Sequence, residues 1–526
     1  MGHNLRGKRV TLIGLGTRAG GLGVARYLAS QGAEVTVTDM RSAEALVESL
    51  AALAELPIRF VLGGHEERDF TPERADLIVR NPGVPRRAPL LELARSHGIP
   101  IEMEMSLFFR ACPAPIVGIT GTKGKTTVST LTGELLRSAF PDVVVAGNMG
   151  VSALEQLPRL RPESQVVIEL SSWQLEALIE HGLAPRIAVL TLIAEDHLNT
   201  YDGFADYAGT KRGISRHQRP GDWLVVNRDD PEAWQAAGET VATVVPFGEG
   251  DHGDDGAWLT PEGLLWRWQG IETRWPRPTS LALVGRHGGQ NALAALGAAM
   301  LAGANPEAIA RGLATFQGVK DRLEVVAEID GVTFINDTTA TAPIATVAAL
   351  EAVTRRSSQV HLLAGGADKG LDPSPLAEAA ARHRAKVYLF AGTATPALES
   401  ELRTRDVTLY GPFAGMIETV TAARYEARPG DVVLLSPGCA SFGLFRDEFD
   451  RGEQFRYAVA ALEVDRQPGE DPSSTALHPT SAPHPQHPAQ RAPRRGYPAP
   501  RSGEKGTDSR DEEHPLLYST GEGVGG

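Results

Sequence analysis

Cysteine is nearly absent: the chain of 526 residues has two, Cys112 and Cys439. That excludes a disulfide scaffold and a four-cysteine zinc site, and it fits a reducing cytoplasm. Long apolar runs are missing too. The start, MGHNLRGKRVTLIGLG, lacks the apolar core of a signal peptide. The longest uncharged run of small residues, Ala292 to Ala304, falls well short of the roughly 20 residues a membrane-crossing helix needs. Basic charge is in deficit, with a net charge of −13, which argues against a general nucleic-acid binder. Anionic ligands stay open, because loops and helix ends grip phosphates locally. With 42% apolar and 22% charged residues, most of the chain is ordinary globular protein, enough for about three to four domains.

Residues 466–526 hold 10 of the 36 prolines and few large apolar residues. Nothing there offsets the entropy of ordering, so the stretch reads as a disordered tail. The alternative is a partner-binding Pro-rich segment or a metal-binding tract of His478, His484 and His487. The remainder divides at 1–112, 113–317 and 318–465.

The first body opens with an apolar strand, Arg9–Ile13, then GLGTRAGGLG, then a helix from Val24 to Gln31. A second strand, Glu34–Thr38, ends at Asp39. This is a βαβ unit with a glycine-rich first turn, at Gly14 and Gly16, and an acid at the tip of the second strand. Further strands, Arg59–Leu62 and Leu77–Val79, lead to Asn81-Pro82-Gly83. Ligands of parallel sheets sit at that edge. The pattern predicts a bound nucleotide and leaves NAD and a UDP-sugar equally open.

The second body starts with the strand Pro115–Thr120, followed by Gly121-Thr122-Lys123-Gly124-Lys125-Thr126-Thr127 and a helix through Leu136. This is a P-loop with Ile119 where the first glycine belongs and glycine displaced to 118 and 121. Small residues let backbone N–H groups face phosphates. Lys125 reaches the β/γ-phosphates, and Thr126 can ligate Mg²⁺. Past Gly147-Asn148-Met149-Gly150, the strand Gln165–Ile168 ends at Glu169, the natural second magnesium anchor. Glu176 reads as helix surface. The strand Ile187–Leu192 leads to Glu195-Asp196-His197, which places His197 on the same sheet edge. By periodicity alone, Lys211 reads as a surface lysine. Asn291 opens an alanine-rich helix running to Ala302.

In the third body, strands at Thr333–Ile335, His361–Leu363 and Val432–Leu435 each end in a polar cluster: Asn336–Thr341, Gly365–Gly370 and Ser436–Ser441. That describes another doubly wound sheet with its loops at one ligand edge.

The ordered set TGTKGKTT, ELSSWQLE, EDHL, YAGTK, DRLE, NDTTAT, GGADKG and SPGCAS resembles the Mur ligase family over about residues 8–460. The resemblance implies an α/β protein of three domains: a Rossmann-like UDP-binding domain, a central P-loop ATPase domain with a mostly parallel sheet, and a Rossmann-like ligase domain. It implies a cytoplasmic, monomeric ligase in peptidoglycan precursor synthesis. ATP would phosphorylate the carboxylate of UDP-N-acetylmuramoyl-L-alanine, and D-glutamate would attack the acyl phosphate. By the same resemblance, Lys125 clamps phosphate, Thr126 and Glu169 hold Mg²⁺, and His197 holds a second ion. Lys211 is the family's carbamylated lysine, whose CO₂ adduct is an anion able to ligate metal where an ammonium would repel it. Asn291, Arg322 and Asp337 hold the adenine nucleotide. Thr341, Lys369 and Ser441 hold the glutamate. Asp39, Arg41 and Asn81 to Gly83 hold the UDP end, with Asn148 near the acyl site.

The chain departs from the family pattern at Lys123, usually asparagine, and at Thr339, usually lysine. In His287-Gly288-Gly289-Gln290-Asn291 the first asparagine of the family motif is missing. Glu448, followed by Phe449, stands where an aromatic is usual. Lys123 offers a replacement for the charge missing at 339. Competing readings are a related ligase with another amino acid or acyl acceptor, an NAD-dependent dehydrogenase, and a non-catalytic nucleotide-binding protein.

Overall fold

A computed structural model describes residues 4–17, 19–196, 200–278, 283, 285–355 and 357–464. His197 and the tail from 466 lie outside the described residues. Three sheets follow one another along the chain. The first comprises β1 (Arg9–Ile13), β2 (Glu34–Asp39), β3 (Ile58–Leu62), β4 (Leu77–Arg80) and β5 (Ile101–Glu102), in the order 3-2-1-4-5 and all parallel. Apolar clusters pack on both of its faces, Val10, Leu12 and Val79 on one and Ile13 and Ile78 on the other, although β2 itself, EVTVTD, alternates apolar and polar residues.

The helix after β1 runs Ala19–Ser30, starting five residues before the expected Val24. Glycines of the motif therefore lie inside the helix as well as in the turn. The reason is close packing: a Cβ on Gly21 would fall 2.0 Å from the Leu15 carbonyl oxygen.

The second sheet holds nine strands in the order 14-13-12-11-10-9-6-8-7. They are β6 (Ile116–Thr120), β7 (Val143–Gly147), β8 (Gln165–Glu169), β9 (Ile187–Leu190), β10 (Trp223–Asn227), β11 (Thr243–Glu249), β12 (Gly256–Thr260), β13 (Gly263–Trp268) and β14 (Ile271–Trp275). The strands through β12 pair in parallel, whereas β12–β13–β14 form an antiparallel meander. Ala257, Leu259, Leu264 and Trp266 bury its inner face, and Trp258 is buried on the opposite one. The third sheet comprises β15 (Glu324–Ile329), β16 (Val332–Asn336), β17 (Val360–Ala364), β18 (Lys386–Phe390), β19 (Leu409–Phe413) and β20 (Val432–Leu435). Its order is 15-16-20-17-18-19, with only the β15 edge antiparallel. No helix among the described residues is long and apolar enough to cross a membrane.

One apolar cluster runs without a break from Leu12 and Val37 of the first sheet through Met105 and Phe108 to Ile168, Leu175 and Tyr207 of the second. The first two domains thus share a core. At their junction the buried Glu104 carboxylate accepts from Ser152 Oγ at 2.6 Å and from Ala153 N at 3.0 Å. Burial pushes this carboxyl up to about 7. Its folded value exceeds its ordinary one, so its contribution to stability is full below about pH 4.5 and is lost as pH rises through 7, a change of about 3 kcal/mol. Glu104→Gln keeps both acceptor contacts. Urea unfolding between pH 5 and 8 is expected to show a shallower loss of stability in the variant than in the parent, and equal slopes would refute the assignment.

Candidate active site

The nucleotide cradle forms where β6 gives way to the helix Lys125–Arg137. Gly124 caps that helix with φ of 89°, a left-handed conformation that favours glycine. A Cβ there would lie 2.5 Å from Asn291 Oδ1. Asn291 therefore does lie against the loop, though not at a helix start: its helix begins at Gly285, since Gly288 and Gly289 are absorbed into the first turns. Lys125 Nζ donates to the Gly121 and Thr122 carbonyls, each at 3.1 Å. Burial lowers its pKa, with Glu169 and Asp196 opposing. The backbone N–H groups and dipole of this helix end suit an anion. Lys123 is exposed, 3.8 Å from Asp196 Oδ2.

Glu169 at the end of β8 is 1% exposed. Its Oε1 accepts from Asn148 Nδ2 at 3.0 Å, which brings two predicted residues together. Its Oε2 is buried without a hydrogen-bond partner among the described residues. A buried acceptor left unpaired costs about 1–3 kcal/mol, and a hard cation would satisfy it. No group of three or more His, Cys, Asp or Glu side chains is placed to hold a metal ion among the described residues. The donor set is thus one carboxylate plus hydroxyl, which fits Mg²⁺ completed by phosphates and water.

Lys211 is not a surface residue; it is 2% exposed. The helix Phe204–Arg212 turns Tyr207 and Lys211, one helical turn apart, to the inside. Lys211 Nζ donates to Thr120 Oγ1 at 3.4 Å and lies 5.3 Å from the Tyr207 ring centroid. Burial first, then the Lys125 charge, lower its pKa well below the ordinary lysine value. Glu176 also departs from expectation. It is drawn inward by Arg80, whose Nη2 donates to Glu176 Oε2 at 2.7 Å, with both side chains at most 10% exposed.

At the edge of the first sheet, Asp39 accepts from Gly16 N and from Arg41 N, both at 2.9 Å. Asn81 N donates to the Ile13 carbonyl, and Asn81 Oδ1 accepts from Gly83 N at 3.1 Å. The predicted UDP-side residues Gly14, Gly16, Asp39, Arg41, Asn81 and Gly83 thus converge on one edge. The Asp39 carboxylate, however, is engaged in holding the two loops together.

In the third domain, Asp337 at the tip of β16 accepts from Leu323 N at 3.2 Å and from Ser436 Oγ at 2.8 Å. Burial pushes it up to about 7, with Arg322 opposing. Asp321 and Leu323, flanking the exposed Arg322, both have positive φ, 66° and 46°, an unfavourable setting for non-glycine residues. Arg456 holds that turn through Asp321 and Glu324 at 2.9 and 2.7 Å.

Lys369 Nζ donates to Thr341 Oγ1 at 3.0 Å. Both line a small cavity of about 30 Å³ with Asp368 and Cys439. Ser441 is buried two residues beyond Cys439 and does not line it. Thr339, in the lysine position, donates its hydroxyl to the Asp321 carbonyl at 2.9 Å. Beneath both loops lies a residue to which the sequence motifs gave no site role. Arg451, fully buried, donates to Thr338 Oγ1 at 3.0 Å, to the Thr338 carbonyl at 2.9 Å and to the Cys439 carbonyl at 3.3 Å.

Three family models cover this architecture in order. The MurD-like N-terminal domain of Mur ligases matches residues 8–102, the Mur ligase middle domain 119–299, and the Mur ligase glutamate ligase domain 321–439. The chain belongs to the Mur ligase family. Among its Mur ligase relatives, the UDP-N-acetylmuramoylalanine--D-glutamate ligase of Roseiflexus sp. (strain RS-1) is 49% identical over 87% of this chain and 99% of that protein. The protein of the same name from Symbiobacterium thermophilum is 38% identical over 86% and 98%. Among solved structures, the Mur ligase MurC from Thermotoga maritima matches with a TM-score of 0.52 at 19% identity, covering 87% of this chain and all of that one. MurF from Acinetobacter baumannii matches with 0.52 at 18% identity, over 76% and 92%. These structures share the Mur ligase fold.

Proposed function

We propose that this chain joins D-glutamate to UDP-N-acetylmuramoyl-L-alanine, with ATP converted to ADP and phosphate through an acyl phosphate. The observation that carries the reading is the convergence of three side chains at the end of β6: Lys125 on the Gly121 and Thr122 carbonyls, Lys211 on Thr120, and Glu169 in register beside Ile119. Near-full-length similarity to proteins named for that reaction supports it. Lys125 and the N–H groups of the loop hold the β/γ-phosphates, and Asn291 flanks them. Thr126, Glu169 and Lys211, the last as its carbamate, are the residues for Mg²⁺, with His197 for a second ion. Magnesium, when bound, neutralises charge on the transferring phosphoryl group. The first sheet's edge presents the UDP substrate, and its carboxylate attacks the γ-phosphorus in line. Arg322 and Asp337 secure the nucleotide from the third domain.

Lys369, with Thr341 and Ser441, orients the glutamate so that its neutral amine meets the acyl phosphate. Shielding from water protects that intermediate. The test supplies purified protein with ATP, Mg²⁺ and UDP-N-acetylmuramoyl-L-alanine, plus D- or L-glutamate, with product read by mass. A product with D-glutamate alone is expected. Turnover with L-glutamate instead would move the specificity, in line with the altered residues Thr339 and Glu448, and no turnover with either would refute the reading.

A further inference from the structure

Arg86 stands three residues beyond the Asn81–Gly83 turn, at the mouth of a cleft of about 700 Å³ between the first two domains. No step above uses it. Its guanidinium donates to the Asp206 carboxylate and lies 5.5 Å from the centroid of the Tyr201 ring. The Arg86 carbonyl accepts from Arg95 Nη1 at 2.9 Å, which steadies its backbone. Asp206 also accepts from Asp202 N at 3.1 Å, so the same carboxylate organises the start of the helix Phe204–Arg212.

From there the contacts lead inward. Tyr201, 5% exposed, meets Tyr207 edge to face at 5.4 Å between centroids. The Tyr207 hydroxyl lies 3.1 Å from Thr122 Oγ1 in the P-loop. The Tyr207 ring also lies against Lys211 Nζ. A continuous set of side chains thus joins the loop that follows the UDP-side turn to the nucleotide cradle and to the lysine behind it. An exposed ion pair contributes little. Arg86 differs in having its planar cation laid on a buried ring, a contact that a flexible lysine does not reproduce.

We propose that Arg86 is a positioning residue for phosphoryl transfer. It holds Tyr201, and through it Tyr207, in the setting that places Thr122 and Lys211, so that seating of the UDP substrate is felt at the nucleotide site. The proposal rests on the function assigned above to the P-loop and Lys211. Spatial adjacency alone does not establish coupling, so the test is a double-mutant cycle.

Arg86→Met, Tyr207→Phe and the double variant are compared with the parent for kcat, for each KM, and for affinity toward a non-hydrolysable ATP analogue with and without UDP-N-acetylmuramoyl-L-alanine. Arg86→Met is expected to lower kcat about tenfold at saturation, with the KM for glutamate unchanged and with loss of the tightening of analogue binding by the UDP substrate. The double variant should be no worse than the poorer single one. Effects that multiply, an unchanged kcat in Arg86→Met, or full restoration by Arg86→Lys would overturn the relay. A parent that binds both ligands with linkage yet forms no product would instead count against the proposed function, and the relay would still be read from the analogue affinities.

Discussion

Lys211→Ala is expected to lower kcat by about 10³-fold while leaving the protein folded, and a short carboxylate such as acetate or formate is expected to restore part of the loss. The lysine is buried beside Thr120 and Tyr207, and no carboxylate among the described residues is in hydrogen-bond contact with it. Burial and the neighbouring Lys125 charge favour its neutral amine, which is the nucleophilic form that adds to CO₂. As an ammonium it would place a second positive charge near the cation that Glu169 is placed to hold. As a carbamate it becomes an anion at the same spot, and the local charge then suits a divalent ion. Alanine removes the anion and leaves room for a small carboxylate to take its place. Steady-state turnover with increasing acetate, read beside circular dichroism, checks this. Full activity of the unrescued variant would remove Lys211 from the mechanism. In the parent, depletion of CO₂ should mimic the substitution in part.

The polar strand tips of all three sheets were legible because glycine, hydroxyl and amide residues gathered at the end of an apolar strand mark the edge of a parallel sheet. Glu169, Asn148, Lys125 and Asp337 stand where their motifs put them. What local pattern could not show is pairing across distance. Glu176 looks like helix surface until Arg80, 96 residues earlier, is seen to pair with it. Lys211 looks solvated because FADYAGTKR carries little apolar contrast, and its burial is set by Thr120 and Tyr207. Arg451 and Arg456 were missed for the same reason: their acceptors, Thr338 and Asp321, lie 113 and 135 residues away.

Glu169→Gln is expected to abolish at least about 10²–10³ of kcat and to remove the dependence of thermal stability on Mg²⁺ and nucleotide together. The side chain is nearly isosteric and Gln Oε1 can keep the bond from Asn148 Nδ2, so the fold has no reason to fail. What changes is the second oxygen. In the parent, Oε2 is a buried acceptor with no donor among the described residues, an arrangement that costs stability unless a cation joins it. In the variant an amide N–H₂ stands there and cannot ligate a cation. Ligand binding to the folded state raises stability by mass action. The parent with ATP analogue should therefore show a clear rise in Tm as Mg²⁺ is added, and the variant should show almost none. Because Glu169 also supports the charged forms of Lys125 and Lys211, its loss should weaken binding of the analogue even without metal. A variant that retains the magnesium-dependent rise in Tm would show that the ion is held elsewhere, and the orphaned oxygen would then need another partner.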